Sequence, residues 1–599
     1  MNPPRVDLYV GRDFDSSDDL KQACRDFAVQ ETFEFTTERS NKKLYTIKCK
    51  IPDCPWRLYA SSIEGSRIFR IKTFKSEHTC FGINHPGNKQ ATAASIASRI
   101  AEKLRDQPSY RPVDLVSDVK RDMGIEITYA KALRAKERAN EILHGTHEGA
   151  YKSLPQYCRD LEAVDPNTKA IVERTSENKF LRMFVCHGAC ASGFAYCRPL
   201  FGLDGTHLKH KYLGILLAAT ATDANGQLFP LAYAVVDAEN DVNWLWFLRN
   251  LRDIIQANAP DLLAQQKTLV ILSDRQKGLL EGVEEVFPNS PHGFCMKHLE
   301  ENFHKQFKNV ELKKLLWKAA RATTQTAFDS ALEAMKKINT RCVPWLYANA
   351  HPIHWAEIHF PGRRYGHFTS NICESLNAAL LPAREMPILA MFEAIRKLLM
   401  NWFSEKRNSE DDTVGLVVKE VATRIQDLVN SRARRYRFRH SKELEYEVNS
   451  KETLCEYLVN IAERTCSCRE WQATGIPCGH ALGVIISALK EDPQTYAMPF
   501  FTLEAFKNTY AGAIIHPRTA DFSAPLRVRP LSDDDDDSSE DSSGSEDVLL
   551  PGRTRKPSGR PRNKRIKPTK TREENRRVNH CGRCGEAGHN KTGCSEPIG

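Results

Sequence analysis

Three short sets of cysteine and histidine limit most strongly what this chain folds into. Cys49-x4-Cys54 is followed 23 residues later by His78-x-Cys80. Cys466-x-Cys468 is followed nine residues later by Cys478-x-His480, and the last set is Cys581-x2-Cys584-x4-His589-x4-Cys594. Thiolates and neutral imidazoles are soft or borderline donors, and two close pairs supply four corners of a tetrahedral zinc site whatever the loop between them. Nine of the 18 cysteines are used this way, which is zinc-ligand spacing rather than a disulfide framework. Buried structural cysteine is the plainer alternative for each set. Zinc sites of this kind hold a fold together and usually do no chemistry.

With 599 residues the chain has room for roughly three to five domains and a large core, so it needs no staples to fold. Its 41% hydrophobic and 27% charged residues are those of a globular protein. The N-terminal stretch MNPPRVDLYVGRDF lacks a basic region followed by an apolar one, so no secretory leader is expected. The apolar run at 213–219 is far short of the roughly 20 residues that span a bilayer, and no membrane partner is expected. The net charge of +10 is unevenly spread: residues 553–577 carry +10, residues 532–547 carry −9, and the rest is thinly basic.

Alternating apolar and polar positions over residues 1–88 predict a small sheet built around the first cysteine set. Residues 89–150 read as helices, with Pro112 opening one and Gly124 closing it. The following helix carries Arg134, Lys136 and Arg138 on a charged surface; a DNA-reading helix-turn-helix and a plain helical hairpin both fit. Between 195 and 385 three meandering strands (199–207, 211–223, 228–237) precede a helix, a buried strand at 268–274, a helix and a short strand at 291–296. That order is the one found in RNase H-like α/β folds, here with a helical insertion from 296 onward. Residues 386–445 read as helical and 446–495 as the second zinc module. Residues 530–579 read as a disordered acidic, then basic, linker, and 580–599 as a terminal zinc bead.

An RNase H-like core that transfers phosphoryl groups needs carboxylates at particular strand and helix ends, because two hard cations about 3.5–4 Å apart take oxygen ligands. Asp204 lies on the first strand, Asp274 ends the fourth, and Glu374 lies on a later helix. Singly, each is equally at home as a turn former, a cap or a solvated helix residue. In this element order they read as a catalytic set.

The motifs DGTH, EN-x3-W-x-WF (Glu239 to Phe247), SDR, FCMKH and TSN-x2-ES-x-N together resemble a Mutator-like element transposase of the plant type. The flanks agree: the first cysteine set with CPWRLYAS resembles the Mutator-type N-terminal zinc domain, CSCREWQATGIPCGHAL a SWIM zinc finger, and CGRCGEAGHNKTGC a CCHC zinc knuckle. The resemblance implies that Asp204, Asp274 and Glu374 form a DDE triad taking Mg²⁺ or Mn²⁺, and that up to three structural Zn²⁺ ions are bound. It matches Cys295 and His298 to a family motif of open role; two ligands cannot close a zinc site, and packing is as good a reading. The implied function is DNA binding with metal-dependent strand cleavage and transfer, in the nucleus. The alternative is a domesticated DNA-binding transcription regulator that does not cut.

Double-stranded DNA, as terminal repeats or regulatory sites, is the expected partner, with single-stranded nucleic acid for the knuckle and self-association left open. Arg560, Pro561 and Arg562, inside the basic tract, suit an A·T minor groove; nuclear import and loose phosphate binding fit the same residues.

Overall fold

The computed structural model describes residues 6–64, 66–80, 88–209, 212, 214–264, 268–409, 415–450, 455–517 and 549–552. All of these lie in one compact unit, Met1–Arg553. The charged linker, Arg560, Pro561 and Arg562, and the Cys581, Cys584, His589 and Cys594 set lie outside the described residues.

The N-terminal module is a five-stranded antiparallel sheet in the order Asp13–Phe14, Phe69–Lys75, Arg57–Ser62, Leu44–Cys49, Phe35–Ser40. The helix Ser17–Gln30 packs on it, its N-terminal Asp19 amide donating to the Ser16 hydroxyl. Trp56, fully buried, centres a core with Leu20, Ile47, Leu58 and Ile71. Three helices follow: Ala93–Asp106, Pro112–Met123 and Tyr129–His144. Pro112 does open the middle one, and Gly124, in the left-handed region at φ 65°, ends it. The expected charged surface is corrected at one position. Lys136 is buried and pairs with Glu385 of the central domain, and the neighbouring Asn140 amide donates to the Glu385 carbonyl at 3.3 Å.

The central domain is built on a seven-stranded mixed sheet in the order His292–Phe294, Val270–Ser273, Leu200–His207, Ile215–Thr222, Leu228–Val236, Phe180–Cys186, Lys169–Arg174. The first three run parallel and the rest antiparallel. The three meandering strands are where the sequence reading expects them, but the sheet starts upstream of residue 195, with two strands at one edge. Those strands are tied to the Asp241–Asn258 helix: Trp246 Nε1 donates to Glu173 at 2.6 Å, and Arg182 lies over the Trp246 ring at 4.4 Å.

Side chains alternate between the faces of a strand. A Cβ on Gly202 would meet Cys373 of the helix Asn371–Ala379, whereas one on Gly205, three residues on, would meet Glu239 just before the Asp241–Asn258 helix. Helical structure therefore covers both faces. Between the last strand and Asn371–Ala379, the helices Met296–Phe307, Val310–Ala320, Gln325–Ile338 and Cys342–Asn349 form an insertion with its own core around Phe303, Leu316, Phe328 and Trp355.

Residues 386–445 are not wholly helical. After Ile388–Ser409 and Lys419–Ser431 the chain turns to strand at Tyr436–Lys442, where half-buried Tyr436 and Phe438 alternate with exposed Arg437 and Arg439. That two-residue period is present in the sequence but lasts only four residues, directly after a long helical stretch. This strand opens a four-stranded antiparallel sheet with Glu445–Ser450, Glu456–Asn460 and Thr465–Cys466. The module docks on the central domain through Arg469, which donates to the Ile358 carbonyl at 2.7 Å, and through the Tyr365 amide on Ala473 at 3.1 Å. Among the described residues no helix is long and apolar enough to cross a membrane.

Candidate catalytic acids and metal centres

Two of the three cysteine sets are assembled. Cys49 ends a strand, Cys54 follows a turn in which Asp53 takes a φ of 63°, and His78 and Cys80 come after the Phe69–Lys75 strand. Cys80 Sγ lies 3.6 Å from Cys49 Sγ and 3.5 Å from Cys54 Sγ, and His78 Nδ1 lies 3.4 Å from the sulfurs of Cys54 and Cys80. A tetrahedron with Zn–S bonds of about 2.3 Å has edges of about 3.8 Å, so the set fits zinc after a small expansion. The His78 ring is fixed by stacking on Trp56, with centroids 5.5 Å apart, and by Phe33 at 4.3 Å. Burial, with neighbouring thiols, pushes Cys49 up to about 12, whereas at Cys54 burial is outweighed by hydrogen bonds from the Trp56 and Thr79 amides and from Cys80, which lower the thiol to about 6.

In the second set Cys466 ends a strand, while Cys478 and His480 begin the helix Gly479–Val484. His480 Nδ1 lies 3.7 Å from Cys466 Sγ and 3.8 Å from Cys478 Sγ, with its ring between Tyr457 at 3.8 Å and Tyr436 at 4.5 Å. Among the described residues these two are the groups of three or more potential ligands whose donor atoms all lie within 4.8 Å of one another.

The acids belong to the central sheet. The parallel pairing Val270↔Leu200, Ile271↔Phe201, Leu272↔Gly202 sets the strand of Asp204 beside the one that Asp274 follows, and the charge of Asp274 acts on Asp204. Asp204 Oδ2 accepts from Asn377 Nδ2 at 2.7 Å, and its Oδ1 accepts its neighbour Gly205 amide at 3.1 Å. Burial, followed by the charge of Asp274, pushes the Asp204 carboxyl up to about 6. Asp274 Oδ1 accepts the Gln276 amide at 3.1 Å at the entry to the helix Lys277–Val286.

Glu374 lies one turn before Asn377 on the helix Asn371–Ala379, and its carboxylate is paired with Lys297 at 2.6 Å. The three acids are thus on neighbouring elements but not drawn within 4.8 Å of one another.

The sequence reading gave Glu239 no site role. Its carboxylate lies against Gly205, where an added Cβ would stand 3.0 Å from Oε1, and it accepts from Trp244 Nε1 at 3.3 Å. Burial, then the charge of Asp274, raises its pKa. Its signal was already in the EN-x3-W pattern: an acid just before a helix N-cap, with an indole donor one turn on.

Cys295 and His298 adjoin the same site. Burial works against ionising Cys295, but hydrogen bonds with His298 and Ser370 outweigh it and lower its pKa. His298 is held up to about 9, chiefly by Cys295, with the charges of Asp274 and Asp204 contributing. Cys295 belongs to neither assembled zinc set.

The described chain is therefore a mixed α/β core with acids on neighbouring elements of its sheet and covering helix, joined to two Cys/His modules of zinc-binding geometry. Residues 200–302 match the MULE transposase domain, residues 5–71 the MuDR family transposase model, and residues 457–489 the SWIM zinc finger. These matches identify a chain with the domain set of Mutator-like transposases. It is also similar to Protein FAR-RED IMPAIRED RESPONSE 1 of Arabidopsis thaliana, 21% identical over 163 residues. That stretch covers 27% of this chain and 19% of the Arabidopsis protein.

Proposed function

We propose that this protein is a nuclear Mutator-like DDE transposase that binds DNA and catalyses metal-dependent strand cleavage and transfer from an RNase H-like core. The observation that carries the proposal is the parallel pairing of the two strands, which brings Asp274, just past the end of one, close enough to Asp204, within the other, for its charge to raise the Asp204 carboxyl. Their donor set fits a divalent cation: hard oxygens, desolvated and mutually repelling, are what such a cation relieves. Asp204, Asp274 and Glu374 would hold the cations, which supply Lewis acidity at phosphorus and lower the pKa of an attacking water or 3′-hydroxyl. Asn377 keeps one Asp204 oxygen directed, and Lys297 holds Glu374 at the rim. The two assembled zinc sets do no chemistry in this reading; they shape the DNA-binding and SWIM modules.

The substrate is duplex DNA carrying the element's terminal repeats. Single-stranded nucleic acid at the knuckle, the minor-groove contact of Arg560, Pro561 and Arg562, and self-association belong to the same proposal. A DNA-binding regulator that does not cut is the second reading. It is favoured by the Lys297 ion pair, which engages the third acid of the triad. The name of the Arabidopsis relative, which records an impaired response rather than a cleavage, agrees with it.

One assay separates the two. Full-length protein is incubated with Mg²⁺ or Mn²⁺ and a plasmid carrying the DNA that flanks its gene, with Asp274→Asn as control. Strand breaks at the flanks in the wild type and none in the variant support the transposase. Binding without breaks favours the regulator, and breaks that survive Asp274→Asn overturn the assignment of the acids.

A further inference from the structure

We propose that Cys295 is a positioning residue that locks the Glu374 helix to the end of the Asp274 strand through its sulfur, and that it binds no metal. Its place in the chain is unusual: it follows the edge strand His292–Phe294 directly and is the cap residue of the helix Met296–Phe307. Three segments meet there. The Cys295 amide donates to the carbonyl of Ser273, the residue before Asp274, at 2.7 Å. The Cys295 sulfur accepts from both the backbone amide and the hydroxyl of Ser370, at 3.3 and 3.2 Å. Ser370 is the cap residue of the helix that carries Glu374 and Asn377, and its carbonyl accepts the Glu374 amide at 3.1 Å. One residue on, the Met296 amide donates to the Phe368 carbonyl at 2.8 Å, so the join is doubled along the backbone.

The side chain is 2% exposed, so both Ser370 donors would be stranded in a dry site if the sulfur were removed. A sulfur suits this position because two donors reach it at distances longer than an oxygen acceptor prefers. The same geometry argues against zinc. The sulfur is already engaged by Ser370, and among the described residues no third cysteine, histidine or carboxylate joins Cys295 and His298 within ligand distance. From Ser370 the consequence reaches the acids in one helical turn: Glu374 begins it, and Asn377 ends it on Asp204.

The inference rests on the transposase reading for its catalytic consequence, but the join itself is independent of that reading. The test compares full-length wild type, Cys295→Ala, Cys295→Ser and Cys295→Val. Expected for Cys295→Ala is a loss of at least about tenfold in single-turnover cleavage at saturating plasmid, with DNA affinity and zinc content unchanged. Cys295→Ser, which restores an acceptor with a shorter reach, is expected to recover part of that rate, and Cys295→Val, which fills the space without an acceptor, none of it; recovery by Val equal to that by Ser would mean that the sulfur only fills space. Hydrogen–deuterium exchange at 369–377 should quicken in Cys295→Ala and return towards wild type in Cys295→Ser.

Loss of one zinc equivalent in Cys295→Ala would overturn the inference, as would wild-type cleavage with wild-type exchange. If the wild-type protein does not cut at all, the transposase reading fails by itself. The join is then decided by exchange, and unchanged protection of 369–377 in Cys295→Ala overturns it.

Discussion

Asp204 is held where its charge costs more than it does in the unfolded chain. Burial first, then Asp274, raise its carboxyl from 3.8 to about 6, so at neutral pH the folded protein keeps a charge it would rather shed. A raised carboxyl adds stability only while it stays protonated, and that contribution is lost as the pH rises through about 6. On the proposed transposase reading Asp204→Asn abolishes cleavage, and whatever the activity it is expected to raise the melting temperature by about 2–4 °C, the shift that about 1 kcal/mol makes in a domain of this size. Calorimetry at pH 7.5 reads it, and an unchanged or lower melting temperature counts against the strain. His187 shows the opposite sign. It is buried, its Nε2 lies 3.0 Å from the Tyr233 hydroxyl, and burial, with Arg396 close by, lowers its pKa to about 4 against the partly opposing charges of Glu393 and Asp165. The unfolded chain takes up that proton near pH 6.5 and the folded chain does not until about 4, so stability falls as the pH drops between those values. His187→Gln keeps a hydrogen-bonding side chain and removes the titration. Across that window its stability should fall less steeply than wild type, by up to about 1.4 kcal/mol per pH unit, in urea melts taken at stepped pH.

The helix Asn371–Ala379 can reach the acids because the Asp204 strand offers it a residue without a side chain. A Cβ on Gly202 would stand 2.6 Å from Cys373 Sγ and 3.3 Å from Ile372 Cδ1, so the helix must lift to admit one. Gly202→Ala should cost about 1–3 kcal/mol, the usual range for overpacking, and reduce cleavage as Glu374 and Asn377 move off Asp204. Cys373→Ala in the same chain removes the nearer clash and should recover most of both losses; a double variant no better than Gly202→Ala would place the fault elsewhere. Such contacts mark how far the sequence could be read. Asp204 and Asp274 were legible because each is an acid at the end of an apolar run, a local signal that neighbouring parallel strands turn into proximity. The Cys/His sets were legible because ligand pairs are short-range in sequence. The edge strand Lys169–Arg174 and its inner neighbour Phe180–Cys186 were not, because their charged residues pair between the two strands, as Arg182 does with Glu173 at 2.7 Å, and interrupt the apolar alternation. Glu239 has a motif around it in the sequence, but its closeness to Gly205 exists only once the helix has packed.

At the scale of the molecule, the modules are joined by polar contacts buried between them, and one such contact leads from the N-terminal helices to the acids. Lys136, read from the sequence as part of a charged surface, is instead buried against Glu385. Next to it, Arg384 donates to the His207 carbonyl at 2.7 and 3.1 Å and to the Asn377 carbonyl at 3.3 Å. His207 ends the strand of Asp204, and Asn377 holds its carboxylate. The join therefore braces both sides of Asp204 from a helix some seventy residues earlier in the chain. Removing one partner of a buried pair strands the other, whereas replacing both by neutral residues of similar size costs much less. Lys136→Met alone is expected to loosen the bundle by about 1–3 kcal/mol, less than a fully buried pair because Glu385 keeps 29% of its side chain exposed. Limited proteolysis should then cut faster in the segment at 144–147, between the Tyr129–His144 helix and the next. The double variant Lys136→Met, Glu385→Gln should regain most of that resistance, giving a coupling energy of the same sign in a double-mutant cycle. Two single variants whose effects simply add would mean that the bundle rests on its apolar contacts, and that the path from Lys136 to Asp204 carries no load.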